Sequence, residues 1–242
     1  MNSQTSPFIE AGIDPLLADL SDLITLQHVG AVHPARPELQ GFIRSVFSQA
    51  HGAQVSAFYP NLLGFRVAEQ PRAVVGYRDG RATTLFSEQY LDRPAHELAS
   101  SRLGLPVRRA EMVEVGNLAI ADPGQARWVI SASTAFLAAA GYRWVLFTAN
   151  QPLANAFSRL GLKPLALADA SPERLPDRGA AWGTYYDGEP KVYLGDIQAG
   201  CQKLHSSGLR RPNLQKLLHA AQQAGVERAF DQHMPTTAMA VQ

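Results

Sequence analysis

Two short stretches hold residue types able to bind or activate a ligand. In EVGNLAIADPGQ, residues 114–125, a carboxylate (Glu114) and an amide (Asn117) sit in an apolar run that turns at Pro123–Gly124 and enters a helix. The first N–H groups of a helix have no intrahelical partner, so Gly124, Gln125 and Ala126 can cradle a phosphate or phosphopantetheine group, with Arg127 adding a charged donor. The same residues also suit a purely structural turn in which Asp122 caps the helix and Gly124 shapes its entry. In LFSEQYLD, residues 85–92, strand alternation puts Phe86, Glu88, Tyr90 and Asp92 on one face. That face either lines a pocket with two carboxylates and a phenol or is the solvated side of an outer strand.

The elements that must position these residues follow from hydrophobic periodicity and turn signals. An amphipathic helix is expected at 14–24, and LITLQHVG at 23–30 is either a strand or that helix's end. A helix opens at Pro37 and stops at His51–Gly52. Strand character marks 55–68, 72–79 and 83–91, with Asp79–Gly80 as the strongest hairpin signal. A short helix at 93–104 precedes a strand at 110–120, a long helix at 125–140, a buried strand at 143–149, a helix at 152–162 closed by Gly161, and a strand at 163–170. AWGTYY and KVYLGDI, joined by DGEP, read as a second hairpin, and 213–230 as a last helix before a frayed end. This order predicts an α/β fold with a mixed central sheet flanked by helices. Residues 25–200 form its core, with helical extensions at 1–24 and 201–242.

Composition narrows the function classes. The 242 residues carry 22 Lys plus Arg against 21 Asp plus Glu, so no broad field favours a polyanion, and no nucleic-acid partner is expected. A single cysteine, Cys201, excludes an internal disulfide and a thiolate cluster, and the scattered histidines suggest no metal site. The first residues lack the pattern of a secretory signal, and no run reaches the roughly 20 apolar residues that span a bilayer. A cytoplasmic protein without an integral membrane segment is expected.

The helix, strand meander, strand–turn–helix, strand and helix of residues 37–197 resemble the acyltransferase fold of Gcn5-related N-acetyltransferases, acyl-homoserine lactone synthases and N-acyl amino acid synthases. EVGNLAI at 114–120 is similar to the E-x-x-R-x-A strand of the latter two groups, with Asn117 where arginine is usual. A closer resemblance is to the thermostable hemolysin family, through FYPNLLG at 58–64, GYRDG at 76–80, LFSEQYLDRP at 85–94, EVGNLA at 114–119, VLFTAN at 145–150, FSRLGL at 157–162 and WGTYYDGEPKVYLGDI at 182–197.

The resemblance implies an N-acyltransferase that moves an acyl group from acyl-CoA or acyl carrier protein, through its acyl-phosphopantetheine, to the amine of a small molecule. The thioester would lie between Val115–Ile120 and Val145–Asn150, held by the backbone of Leu118, Ala119 and Ile120, with Asn150 and Asn155 as donor contacts. Asn150 equally suits an N-cap. Glu114 and Glu88 are the candidate bases or amine binders, since burial raises a carboxyl pKa, unless each pairs internally with Arg66, Arg78, Arg108 or Arg109. Asn117 stands at the usual arginine position, Tyr90 is a candidate acid or hydrogen-bond donor, and Asp92 would help shape the amine site. Trp182 and Tyr185 either line an acyl or acceptor pocket or fill a core. Two other readings remain: a non-catalytic ligand binder of the same fold, and a membrane-active hemolysin.

Overall fold

The computed structural model describes residues 24–81, 84–206 and 212–233. Seven strands form one mixed sheet in the order β1-β2-β3-β4-β5-β7-β6: β1 Ile24–Val29, β2 Asn61–Val67, β3 Gln70–Asp79, β4 Met112–Ile120, β5 Trp144–Ala149, β6 Leu165–Asp169 and β7 Lys191–Asp196. Only β4 and β5 run parallel; β7 inserts antiparallel between β5 and β6. The helices are α1 Arg36–His51, α2 Ala95–Leu103, α3 Ala126–Ala139, α4 Gln151–Arg159, α5 Ile197–Ser206 and α6 Pro212–His233.

Strand alternation sends side chains to two cores. Leu63, Phe65, Val75, Tyr77 and Val113 meet α3 and α6 on one face. Leu62, Val74 and Ala119 meet Leu39 and Ile43 of α1 on the other, where Met112, Trp144, Leu146 and Val192 also pack against Leu85, Tyr90 and α2. The α1 boundaries follow the sequence signals: Pro37 in its first turn, and Gly52 in the left-handed region, its N–H donating to Phe47 and Ser48 carbonyls.

Several expected elements take a different form. The hairpin at Asp79–Gly80 is absent; the β2–β3 turn lies at Ala68–Glu69, both at positive φ (47° and 65°), a conformation the residue types do not advertise. Gly80 instead ends β3 where its N–H donates to the Met112 carbonyl, and a Cβ there would lie 2.5 Å from the Arg109 carbonyl oxygen. The described part of the strand expected at 83–91, residues 84–91, does not form one. Phe86–Tyr90 is a 3-10 turn, because the Glu88 carboxylate takes the Leu85 and Ala95 N–H groups and Glu114 takes those of Phe86 and Ser87. Ala180–Gly188 is likewise 3-10, broken at Gly183 (φ 55°, ψ −128°), so AWGTYY does not pair with KVYLGDI; β6 does. The strand expected from residue 55 begins at Asn61, and α5 was not foreseen. The helix expected at 14–24 falls outside the described residues except for Ile24, which opens β1, and so does the frayed end.

The α6 helix docks closely on α3. Leu217 and Ala221 are buried there, and a Cβ on Gly225 would come within 2.3 Å of the Phe136 carbonyl oxygen and 2.8 Å of Ala139 Cβ. In an exposed helix, Gly225→Ala would gain about 1 kcal/mol of propensity. Here the contact is with backbone that cannot rotate away, so the helices must separate. Overpacking of this kind costs about 1–3 kcal/mol. Gly225→Val, with two further methyls, is therefore expected to lower the melting temperature by several degrees in a thermal unfolding measurement; an unchanged or raised value would refute this packing.

Candidate active site

Pairing between β4 and β5 stops at Val115–Phe147. Beyond it the strands part, because β4 carries one extra residue: Gly76 pairs with Gly116 and Val74 with Ala119, leaving Asn117 and Leu118 opposite Val75 alone. Asn117 absorbs the bulge at φ 47°. Its side chain holds the bend, with Oδ1 accepting the Tyr59 N–H at 2.9 Å and Nδ2 donating to the Ala57 carbonyl. The bulge also flips the parity of β4. Glu114 faces the α1 side, yet Leu118 and Ile120 face α3.

A cleft of about 770 Å³ passes through this gap and reaches both faces of the sheet. On the α3 side it is walled by Val129, Ile130, Leu137, Val145 and Phe147, with Arg159, Lys163 and Lys203 also lining it. On the α1 side it is walled largely by aromatic rings from Phe47, Tyr59, Phe86, Tyr90, Trp182, Tyr185 and Tyr186. Tyr59 lies over a floor made by the cross-strand pair Gly76 and Gly116. A Cβ on Gly116 would sit 2.6 Å from the phenol ring, and Arg78 covers that ring at 5.1 Å. Burial, then the neighbouring Glu114 carboxylate, pushes the Tyr59 phenol well above its ordinary pKa, so it stays protonated as a donor.

Glu114 is fully buried. Its two oxygens accept the Phe86 and Ser87 N–H groups at 2.8 and 2.5 Å. Burial raises its pKa; the Ser87 and Phe86 donors and Arg78 oppose that rise without cancelling it. Ser87 Oγ lies 3.2 Å from Thr148 Oγ1 on β5, and the Tyr90 and Tyr186 hydroxyls lie 2.6 Å apart, so two short polar chains face the gap.

Of the residues singled out from sequence, Asn117, Leu118, Ile120, Ala126, Tyr90, Asn150, Trp182 and Tyr185 line the cleft. Asn150 also caps α4 by accepting the Leu153 N–H. Glu114 lies behind the cleft wall, and Ala119 points to α1. Glu88 is not a base in the cleft: it is ion-paired with Arg109 at 2.5 Å and holds two backbone N–H groups. Asp92 is on the surface, bound to Arg174, because the 3-10 turn breaks the alternation that would have aligned it with Tyr90. The Gly124 N–H is taken by Asp122 Oδ1 at 2.9 Å, so the anion cradle expected there already holds a carboxylate, and neither Gln125 nor Arg127 lines the cleft. Asn155 is exposed and bonds to Gln151. Sequence reasoning missed Tyr59, Ser87 and His51; Arg78, named only as a possible partner of a glutamate, and Thr148, inside the expected Val145–Asn150 stretch, line the cleft as well.

The sequence pattern of the thermostable hemolysins matches residues 29–201, more than half of the chain. The chain belongs to the thermostable hemolysin family. No curated protein matches it. Solved structures similar to this member include FeeM, an N-acyl amino acid synthase from uncultured soil microbes (13% identity, TM-score 0.53), covering 74% of this chain and 93% of that one. The acyl-homoserine lactone synthase LasI (12%, TM-score 0.52) covers 76% and 95%. BjaI, a CoA-dependent acyl-homoserine lactone synthase solved with SAM and isopentyl-CoA, matches at 13% and TM-score 0.52, covering 78% and 89%. The hemolysin-family chain therefore has the acyl-CoA N-acyltransferase-like fold. Among its described residues, no helix is long and apolar enough to cross a membrane.

The Glu88–Arg109 pair makes a test of the loop that closes this site. Burial raises the Glu88 pKa, but Arg109 and the Ala95 and Leu85 N–H groups together outweigh it and leave a net depression. A depressed carboxyl stabilises the fold above its unfolded pKa and loses that contribution as pH falls through the folded value. Glu88→Gln is thus expected to cost about 1–2 kcal/mol at neutral pH, given that the pair is only partly buried. In urea unfolding the difference from wild type should shrink in acid; a pH-independent difference would contradict the assignment.

Proposed function

We propose that the protein is an N-acyltransferase whose cleft brings an acyl thioester and a small-molecule amine together across the sheet. The observation that carries this reading is the parting of β4 and β5 beyond Val115–Phe147, which frees strand backbone at the point where the cleft crosses. The acyl donor occupies the α3 side, where the wall is apolar and Arg159, Lys163 and Lys203 supply cations for the phosphates of CoA or of a carrier protein's phosphopantetheine. Backbone N–H groups freed around Leu118 meet the thioester carbonyl, and developing negative charge on that oxygen strengthens their hydrogen bonds. The amine enters from the aromatic α1 side. Attack forms the C–N bond, and breaking the C–S bond releases the thiol.

Glu114 is a positioning residue in this scheme. With no exposed surface it cannot touch the amine, but it fixes Ser87 against Thr148 and sets the field at Tyr59. Asn117, standing where the resembling families carry arginine, is spent on the bulge and the 57–59 segment rather than on a carboxylate partner.

The reading is tested by incubating the purified protein with dodecanoyl-CoA, or dodecanoyl carrier protein, and a panel of amino acids and amines, then measuring products by mass. Acylated amine supports it; donor bound without acylated amine supports a non-catalytic binder. Glu114→Gln leaves one acceptor oxygen for two N–H groups, so either the Phe86 or the Ser87 N–H meets an NH2 donor and its charge-assisted hydrogen bond is lost, about 1.5–3 kcal/mol. It should lower turnover about tenfold or more while donor affinity, set on the opposite face, stays unchanged.

A further inference from the structure

The α1-side chamber contains one imidazole, that of His51, among its lining residues. His51 closes the last turn of α1, and its ring stands edge-on to Tyr185 (5.4 Å between centroids) and beside Phe47 (6.3 Å). The chain around it is unusually constrained for a surface helix end. Its carbonyl accepts the Thr184 hydroxyl, and a Cβ on Gly183 would fall 1.9 Å from that same oxygen, so only glycine lets the 180–188 segment seat against it. Gln54 N–H then donates to the Ala181 carbonyl at 2.7 Å. Two segments far apart in sequence therefore lock together around a ring that makes no hydrogen bond among the described residues, while Glu114 is held by Phe86 and Ser87, Glu88 by Arg109, Asp122 by Gly124, and Asp196, the carboxylate lining the cleft, by Arg143.

We propose that the His51 imidazole is the proton acceptor for the ammonium group of the amine substrate. This rests on the acyltransferase reading above. The incoming ammonium gives one proton to an imidazole nitrogen; the free amine attacks the thioester carbonyl carbon. As the C–N bond forms and the C–S electron pair leaves with sulfur, the second ammonium proton passes to the thiolate. The products are the amide, a thiol and a protonated His51 that returns its proton to solvent. The groups facing the His51 ring are Phe47 on its own helix and Tyr185 on the 180–188 segment, with Thr184 bound to its carbonyl and Trp182 packed on Phe47 and Tyr185. Burial holds its pKa below the usual value, which keeps the ring neutral and receptive at neutral pH.

The test uses the full chain with dodecanoyl-CoA as donor and each standard amino acid and tyramine as acceptor, following thiol release between about pH 5 and pH 10. In the wild type, kcat/KM for the amine should rise through an acid limb at the His51 pKa. His51→Gln should fall about a hundredfold at neutral pH, lose that limb, and recover as pH climbs toward the amine's own pKa. His51→Ala should regain activity when free imidazole is added. An equal loss at every pH without imidazole rescue, or full activity in both variants, overturns the role of His51 while leaving the acyltransferase reading intact. Absence of thiol release from the wild type with any acceptor overturns both.

Discussion

The extra residue in β4 is the constraint from which the cleft follows. Holding a non-glycine residue in the left-handed region costs about 1 kcal/mol or more. Asn117 recovers that cost through two hydrogen bonds to the 57–59 backbone, each worth about 1 kcal/mol, so the bulge is stable only while that segment is in place. The two are mutually dependent: Asn117 positions Tyr59, and the ring of Tyr59 fills the space that Gly76 and Gly116 leave open. Past the bulge the twist increases, β5 stays paired to β7, and β4 stays paired to β3. The gap between β4 and β5 is where that divergence has to appear.

Carboxylates near this gap act as backbone acceptors. Glu114 and Glu88 between them bind four N–H groups from residues 85–95, a segment with no strand partner that would otherwise leave those donors unsatisfied next to an apolar core. That arrangement leaves the α1-side chamber walled by rings and hydroxyls. A ligand entering there loses water and gains few compensating charges, so the electrostatics of Arg78 and the two short hydroxyl chains operate at low dielectric. Orientation of bound groups then rests on shape and on a small number of hydrogen bonds.

What the sequence made legible follows from how local each signal is. The strand–helix–strand–helix run from Met112 to Arg159 was readable because its apolar periods are long and its boundary residues, Asp122–Pro123, the N-cap Asn150 and the left-handed Gly161, are ordinary ones. LFSEQYLD was misread as a strand because its alternation is real, while the carboxylate that bends it, Glu114, is 27 residues away from Ser87 in the chain. AWGTYY failed for a similar reason: its conformation is set by the His51 carbonyl, 133 residues from Thr184. The Ala68–Glu69 turn gave no signal at all, since neither residue favours positive φ. The cleft residues missed from sequence, Tyr59, Ser87 and His51, sit on segments that meet only when the 57–59, 85–92 and 180–188 loops close over the sheet.

A near-neutral chain can still grip an anion where cations cluster locally. At the start of α3 the positive end of the helix dipole faces the Asp122 carboxylate bonded to the Gly124 N–H, which cancels much of the attraction an incoming phosphate would feel. At the α3-side opening, Arg159 stands in the last turn of α4 and Lys203 in the last turn of α5, with Lys163 just before β6. Asp196, the acidic residue lining the same region, is engaged by Arg143. The helix C-termini there attract these cations, holding positive charge at the rim without a lysine-rich surface. Local placement, more than net charge, therefore concentrates cations at one side of the sheet, while the α1 side offers rings, hydroxyls and Arg78.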